Sequence, residues 1–301
     1  MSQDPGQKYA NNGNDFLSLH HDTYPAIDPT KADLSGKTVF ITGASKGLGL
    51  ATAISFAKAG ASGIAIAART SLSATVSAIQ KAAQEANHPP PTIVPVTLDV
   101  TDQKSVEAAA KTVSGAFRGK LDILINNAGY LSPWKPLVES DPVEWWTDFE
   151  VNIKGVYLVS RSFIPLVLAS PTKIIVNLSS IGAHFTHSGA SSYQTTKLAV
   201  LRLTEFIAVD YPEILAIAVH PGGVMTNMAK AMPEAFHGLL VDTPELAADS
   251  MIWLVKERRE WLQGRYVSVC WDVEELEGRR EEIIKGDLLK VRMAVNGFEG
   301  V

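Results

Sequence analysis

Cysteine occurs once in the 301 residues, as Cys270, so no disulfide can close within the chain. A lone thiol reads as a small buried hydrophobe in a reducing compartment. Long apolar runs are missing as well: no stretch approaches the ~18 residues needed to cross a bilayer. The opening MSQDPGQKYANNGND lacks the apolar centre of a secretory leader. These absences predict a cytoplasmic protein with no membrane span. Nor is there a basic tract to meet a polyanion. The net charge is −5, and Lys256-Glu257-Arg258-Arg259 and Arg279-Arg280 are flanked by acids, as on solvated helix faces. Nucleic acid is thereby excluded as the expected partner. No histidines and acids converge at ligand spacing, so no metal is expected.

What the chain does have is the material for a core. Hydrophobic residues make up 46% and charged ones 20%, the balance of a globular chain long enough for one sizeable α/β core. Residues 1–35, rich in Asn, Asp, Gly and Pro, predict an N-terminal arm that is largely loop, with Phe16, Leu17, Tyr24 and Ile27 on the domain surface. Apolar runs at 38–41, 63–67, 93–98, 123–125, 174–178, 215–220 and 266–269 read as strands. Helical stretches fall at 50–59, 72–86, 103–117, 142–152, 155–168, around Tyr193 and at 274–285. This alternation predicts a single doubly wound parallel sheet of about seven strands with helices on both faces. It forms one domain, 36–290, followed by a short tail, 291–301.

Two stretches carry chemistry. After the first strand comes Thr42-Gly43-Ala44-Ser45-Lys46-Gly47-Leu48-Gly49, then a helix of small residues. Glycine permits φ > 0 and close approach of a diphosphate to the backbone, and the free N–H groups of the helix start face the anion. Strand, glycine turn and helix together mark a Rossmann-type dinucleotide site. The second stretch runs from Ser179 to Lys197, SSIGAHFTHSGASSYQTTK. Tyr193 and Lys197 are four apart, so on a helix the phenol and the ammonium share a face. A phenol that exchanges protons near neutral pH needs its pKa of ~10 lowered by ~2–3 units, about 3–4 kcal/mol. A cation ~4 Å away at an effective dielectric of ~20 supplies that much. Ser180, with Ser179 beside it, follows the fifth strand at the edge where open α/β sheets bind ligands.

From about residue 36 to 285 the chain resembles the short-chain dehydrogenase/reductase family. The matches are ordered: TGASKGLG at 42–49, Asp99 after the third strand, Asn126-Asn127-Ala128-Gly129 after the fourth, Val151-Asn152, Ser180, Tyr193-Gln194-Thr195-Thr196-Lys197, and Pro221-Gly222-Gly223 after the sixth. The resemblance implies an oxidoreductase that interconverts a carbonyl and an alcohol by hydride transfer with a nicotinamide. It also implies roles. Gly43, Gly47 and Gly49, with Ser45, Lys46 and Leu48 between them, would hold the pyrophosphate. Asp99 and Val100 would meet the adenine, and Ala128 and Gly129 would border the cofactor, with Asn126 bracing the sheet beside it. Tyr193 is implied as proton donor or acceptor. Lys197 is implied as the ribose ligand that biases the phenol toward ionisation, and Ser180 as the partner of the substrate oxygen. Asn152 would kink its helix around a water leading to Lys197. Pro221, Gly222 and Val224 would let the backbone pass the nicotinamide, and Thr226 would bond its carboxamide. Asp99 and Asn152 also have plainer readings, as the start of a turn and a helix interruption.

An acid ending the second strand would bond the 2′-hydroxyl of NAD. Here Ala67-Ala68-Arg69-Thr70 has none, and Lys46 with Arg69 matches a 2′-phosphate, so NADP(H) is the expected cofactor. The expected substrate is an apolar small-molecule carbonyl or alcohol, with intermediates of secondary metabolism among the candidates. Residues 130–136, 184–188 with His184 and His187, and 224–241 with Met225, Met228, Met232, Phe236 and Leu239 would hold it. The last segment exceeds the usual ~2–6-residue connection and is expected to be a lid hinged at Gly223 and Gly238. His220 reads as a satisfied loop residue. Family members pair through helices near 155–168 and 192–210, which implies a homodimer or homotetramer. Two other classes stay open: a nucleotide-binding sensor or scaffold without turnover, and a non-redox cyclase or isomerase using the same site. The intact Ser180, Tyr193 and Lys197 set argues against the first.

Overall fold

Seven strands lie parallel, side by side: β1 (Thr38–Thr42), β2 (Gly63–Ala68), β3 (Thr92–Thr97), β4 (Ile123–Asn126), β5 (Ile174–Leu178), β6 (Leu215–His220) and β7 (Arg265–Ser268), in the order 3-2-1-4-5-6-7. This is the sheet expected from the sequence, seen in a computed structural model whose described residues are 13–293. Every residue of β2, β4, β5, β6 and β7 is buried, which is why these strands read as unbroken apolar runs and not as alternating ones. The helices are α1 (Gly47–Lys58), α2 (Ser73–Glu85), α3 (Gln103–Ala116), α4 (Pro142–Phe149), α5 (Val156–Leu168), α6 (Ser191–Asp210), α7 (Pro244–Val255), α8 (Val273–Gly278) and α9 (Arg280–Lys285). α1 packs on α2 and α7, and α3 packs on α5. Alternate residues of β1 enter different cores: Val39 and Ile41 join Ala53, Phe56 and Met251, while Phe40 joins Val113 and stacks on Phe163 at 4.3 Å. Strand order reverses between β1 and β4, which opens a crevice at their C-terminal ends.

Three elements differ from the sequence expectation. α4 and α5 are one rod of 27 residues, Pro142–Leu168, joined by a π-turn at Glu150–Gly155. Such a turn adds a residue without breaking the axis, so the helical phase slips and the sequence reads as two helices. The rod's most apolar window has a mean hydropathy of 1.3, long and apolar enough to cross a membrane, but half of that window is buried inside the protein. It is apolar because it packs against α3, α6 and the sheet. α7 went unread, although Thr243 Oγ1 caps it by accepting from Leu246 N at 3.2 Å and Pro244 opens it. Residues 246–255 are buried all round, leaving no polar face to reveal a helical period.

The third difference is at the N-terminus. Residues 13–35 contain one 3-10 turn, Pro29–Lys31, and are otherwise turns and irregular chain; Phe16 and Tyr24 pack half-buried against the domain as expected, but other side chains go deeper than its surface. Leu17, Ile27 and Leu34 are 8%, 2% and 1% exposed and belong to the core. Polar clips fix them: Trp271 Nε1 donates to Gly13 O at 2.8 Å, Ser18 N and Oγ donate to the Glu275 carboxylate at 2.8 and 2.7 Å, and His20 meets Asp272 at 2.8 Å. Residues 1–12 of the arm and 294–301 of the tail lie outside the described residues. Ile27→Ala should therefore destabilise the fold by ~2–4 kcal/mol, as for a buried aliphatic side chain. Denaturant titration measures this, and a loss under ~0.5 kcal/mol, the scale of surface substitutions, would show that the arm merely rests on the domain.

Candidate active site

At the crevice, Gly43 (φ 69°) and Gly47 (φ 57°) take left-handed conformations that glycine adopts without strain. Gly49 is required for a different reason: a Cβ there would stand 2.5 Å from Gly43 O and 2.6 Å from Asn127 Nδ2. Asn127 holds the turn. Its Nδ2 donates to Thr42 O at 2.7 Å and Gly43 O at 3.2 Å, and its N–H, with that of Ala128, donates to Thr42 Oγ1 at 3.0 Å. The sequence pointed to Asn126, which faces inward. Asn126 Nδ2 donates to Ser160 Oγ (3.0 Å) and Asn177 Oδ1 (2.8 Å), so it braces the sheet as expected but does not line the cleft, whereas Asn127 does. Which of two adjacent asparagines turns outward follows from the β4–β5 register, Asn126 opposite Asn177.

The cleft has a volume of about 490 Å³. Its walls include Ser45, Lys46 and Leu48 of the glycine turn, Arg69, Val100, Ala128, Gly129, Pro221, Val224 and Thr226. No side chain caps α1 and no acid sits in its first turn, so its leading N–H groups remain for an anion; glycine backbone and open helix start fit a diphosphate. Asp99 also lines the cleft, and its plainer reading holds too: Oδ1 accepts from Thr101 N (2.9 Å) and Oγ1 (2.8 Å). Burial pushes its carboxyl up, but these bonds and the charges of Arg69 and Lys154 outweigh it, leaving it below the ordinary carboxylate range. Gly222 (φ 82°) lies behind the wall, where a Cβ would meet Asp242 Oδ2 at 2.8 Å.

α6 carries Tyr193 and Lys197 on one face, with Lys197 Nζ 5.5 Å from the centre of the phenol ring. Asn152, in the π-turn, donates from Nδ2 to Tyr130 O (2.9 Å) and Thr196 Oγ1 (3.1 Å) and accepts from Tyr130 N at Oδ1 (2.8 Å). A Cβ on Gly129 would lie in ordinary contact, 3.4 Å from Asn152 Oδ1 and 3.8 Å from Lys197 Nζ, so both polar groups stand beside this glycine. Ser180 Oγ accepts from Gly182 N at 3.0 Å and hydrogen-bonds the Tyr193 hydroxyl. Ser179 Oγ is committed elsewhere, donating to Lys197 O at 2.8 Å.

The phenol departs from expectation. Burial of its hydroxyl pushes Tyr193 up to about 12, outweighing the lowering by Ser180, and the charge of Asp148 raises it further. Lys197 does not bond the phenol: Nζ donates to Leu178 O at 2.9 Å. Burial brings its amine down to about 8, opposed by Asp148. Asp148, on α4, was missed by sequence reasoning. It is fully buried, accepting at Oδ2 from Ser132 Oγ (2.6 Å) and Ser192 Oγ (2.5 Å) and at Oδ1 from Ser132 N (3.3 Å). Its signal was a charge between Trp145 and Phe149, which stack at 4.7 Å on the same helix.

The three segments expected around the substrate do meet, through aromatic rings. Trp134 stacks near His187 at 5.9 Å and near Phe236 at 4.9 Å, and His187 and Phe236 are 5.3 Å apart. His184 instead turns away to the edge of Tyr266 at 4.8 Å and lines a separate cavity. His220 is no loop residue: it ends β6, buried, its Nδ1 without a partner among the described residues, and burial pushes it down to about 4. The segment 224–241 is closed at its base by a Val224–Asp242 bridge, with Gly223 N donating to Asp242 Oδ2 at 2.6 Å. Gly223 is thus pinned, not placed as a free hinge. Cys270, buried and bonded to Asp242 at 3.3 Å, has its thiol pushed up to about 12 by burial, so it is an inert hydrophobe.

Residues 37–236 match the family described as short chain dehydrogenase. The chain is 52% identical over 278 residues to the short chain dehydrogenase mpl6 of Monascus purpureus, covering 92% of this chain and 95% of that protein. It is 45% identical over 280 residues to the short chain dehydrogenase pigC of Monascus ruber, covering 91% and 92%. Among solved structures it superposes with a TM-score of 0.68, at 27% identity, on a 3-ketoacyl-(acyl-carrier-protein) reductase from Brucella melitensis complexed with NADH, covering 79% of this chain and 98% of that one. The chain belongs to the short-chain dehydrogenase/reductase family and is an oxidoreductase of that family.

Proposed function

We propose that this protein is an NADP(H)-dependent reductase of an apolar ketone, with Tyr193 as the proton donor. The observation that carries the reading is that Tyr193 and Lys197 line a cleft together with glycine backbone, while Ser180 bonds the Tyr193 hydroxyl and Asn152 holds Thr196 beside Lys197 from behind. When bound, the nicotinamide supplies the hydride; the remaining work falls to the chain. Gly43, Gly47 and Gly49 accommodate the pyrophosphate against the open start of α1. Thr226, Pro221 and Val224 form a further wall of the cleft. Ser180 offers its hydroxyl to the substrate oxygen, and the phenol it bonds gives that oxygen a proton. The phenol, pushed up to about 12 by burial, holds its proton at neutral pH and is in the donor form that carbonyl reduction requires. Lys197, brought down to about 8, stands ready to restore the proton.

Support for NADP(H) over NAD(H) is the pair Lys46 and Arg69, both exposed in the cleft wall, with no acid at 67–70. Support for an apolar substrate is the ring cluster of Trp134, His187 and Phe236 and the cleft-facing Met225 and Met228. Relatives share the fungal genus Monascus, and a ketone intermediate of secondary metabolism fits this wall. The buried free thiol of Cys270 suits the cytoplasm. Support for a homo-oligomer is the exposed apolar set Tyr157 on α5 and Leu198, Phe206 and Val209 on α6, an arrangement a second copy would cover.

Tyr193→Phe should lower kcat for ketone reduction ~10²–10⁴-fold while cofactor affinity, read by NADPH fluorescence, changes little; a variant keeping a tenth of the rate would remove Tyr193 from the chemistry. Wild type should prefer NADPH to NADH in kcat/KM by on the order of 10²-fold, taking ~1.5–3 kcal/mol per charged contact discounted for exposure. Lys46→Ala with Arg69→Ala should abolish that preference, and its persistence would send the assignment elsewhere. Light scattering should show a multimer that Phe206→Asp dissociates; an unchanged mass would clear this face of any role in assembly.

A further inference from the structure

Three aspartates are buried around this sheet, Asp122, Asp148 and Asp249. Asp249, on α7 beside a different cavity, accepts from Ser55 Oγ and Thr23 Oγ1 at 2.6 Å, and burial raises it. The other two differ in kind from each other. Asp122, at the N-terminal edge, accepts from Thr38 N and Oγ1 (2.9 and 3.0 Å), Ser170 Oγ (2.6 Å) and Thr172 Oγ1 (2.7 Å). Burial raises it, but these bonds overcompensate and leave it below the ordinary carboxylate range, as expected of a structural tie. Asp148 is not balanced in this way. Its two serine hydroxyls and one N–H leave burial the larger effect, so the site retains a costly charge where an apolar residue between Trp145 and Phe149 would serve the helix better.

The position of Asp148 suggests what the charge does. Its partner Ser192 is the residue before Tyr193, and Ser132 and Ser192 are themselves linked at 3.0 Å. Asn152, one turn along the same rod, grips Thr196, the residue before Lys197. The rod therefore holds the start of α6 at two points, Asp148 on α4 and Asn152 in the π-turn, one bearing a charge. From α6, Asp148 is faced by Tyr193 and Lys197; from the segment after β4, by Tyr130, whose hydroxyl bonds Glu144. On its own rod, Glu144 and Glu150 point to solvent-side partners, Glu150 to Lys154 at 2.6 Å. Lys197 is the cation among these that acts on Asp148.

We propose that Asp148, clasped by Ser132 and Ser192, is a positioning residue that orients the start of α6 and sets the field in which Tyr193 and Lys197 hold their protons. This rests on the reductase reading above. The sign is fixed by electrostatics: an anion raises the pKa of every group it faces. Replacing it with an isosteric amide lowers both groups, so whichever of the coupled pair is observed, its midpoint moves to lower pH. Loss of one unit charge acting through an effective dielectric of ~20 gives a shift on the order of one pH unit.

The test uses the full chain labelled with [ε-13C]lysine, with the Lys197 resonance assigned by its loss in Lys197→Arg and titrated in wild type and in Asp148→Asn. The amide keeps an acceptor for the serines, and thermal melting reports whether it folds; if it does not, Asp148→Ser takes its place. The expected result is a Lys197 midpoint about one pH unit lower, with the same displacement in the pH profile of kcat/KM for ketone reduction and KM within about threefold, since ground-state binding is untouched. An unmoved or raised Lys197 midpoint overturns the proposal, whatever the turnover. Because the resonance is read without substrate, a lowered midpoint in a protein that reduces no carbonyl would sink the reductase reading and leave the role of Asp148 in the field standing.

Discussion

The hydrogen bonds between the ends of β1 and β4 govern the rest of the site. Parallel strands that part in opposite directions leave backbone groups unpaired, and here Asn127 takes them up, tying Thr42 and Gly43 to its own strand end. The junction brings two backbones so close that a Cβ on Gly43 would sit 2.9 Å from Ala128 Cα. The glycine turn proposed to hold the phosphates stands on this contact.

From that junction the rod Pro142–Leu168 sets the distance to the reacting groups. A regular helix would carry Asn152 past α6, but the π-turn at Glu150–Gly155 turns the side chain inward to hold Tyr130 and Thr196. Gly155 has its own constraint, since a Cβ there would meet Val100 Cγ2 at 2.8 Å. One irregular turn thus couples the cofactor wall, the loop after β4 and the start of α6. The cost is a local break in the regular helical hydrogen-bond ladder.

Charge burial separates the two edges of the sheet. At the N-terminal edge Asp122 is satisfied by hydroxyls and a backbone N–H and does no more than tie strands and turns together. Toward the C-terminal edge Lys197, the Tyr193 hydroxyl and Asp148 are buried near one another, and for each of them burial is the largest influence on its proton. Unbalanced groups are what a proton-transferring site requires, because a fully satisfied group has no reason to change its protonation.

The sheet, its strand count and the glycine turn were readable from residue order because they depend on local pattern: buried parallel strands are continuous apolar runs, and a turn at positive φ needs glycine. The Tyr193–Lys197 spacing was readable for the same reason, a helical period of 3.6. Three things were decided only by the fold. Asn127 and not Asn126 faces the cleft because of a pairing register across β4 and β5. The phenol rises above its ordinary value because the hydroxyl is enclosed by segments far apart in sequence, and its neighbour at four residues spends its charge on Leu178. The N-terminal segment enters the core because Trp271, Asp272 and Glu275, more than two hundred residues away, supply its contacts. Local sequence specifies backbone shape and hydrophobic phase; solvation and charge depend on long-range neighbours, which no single stretch of sequence contains.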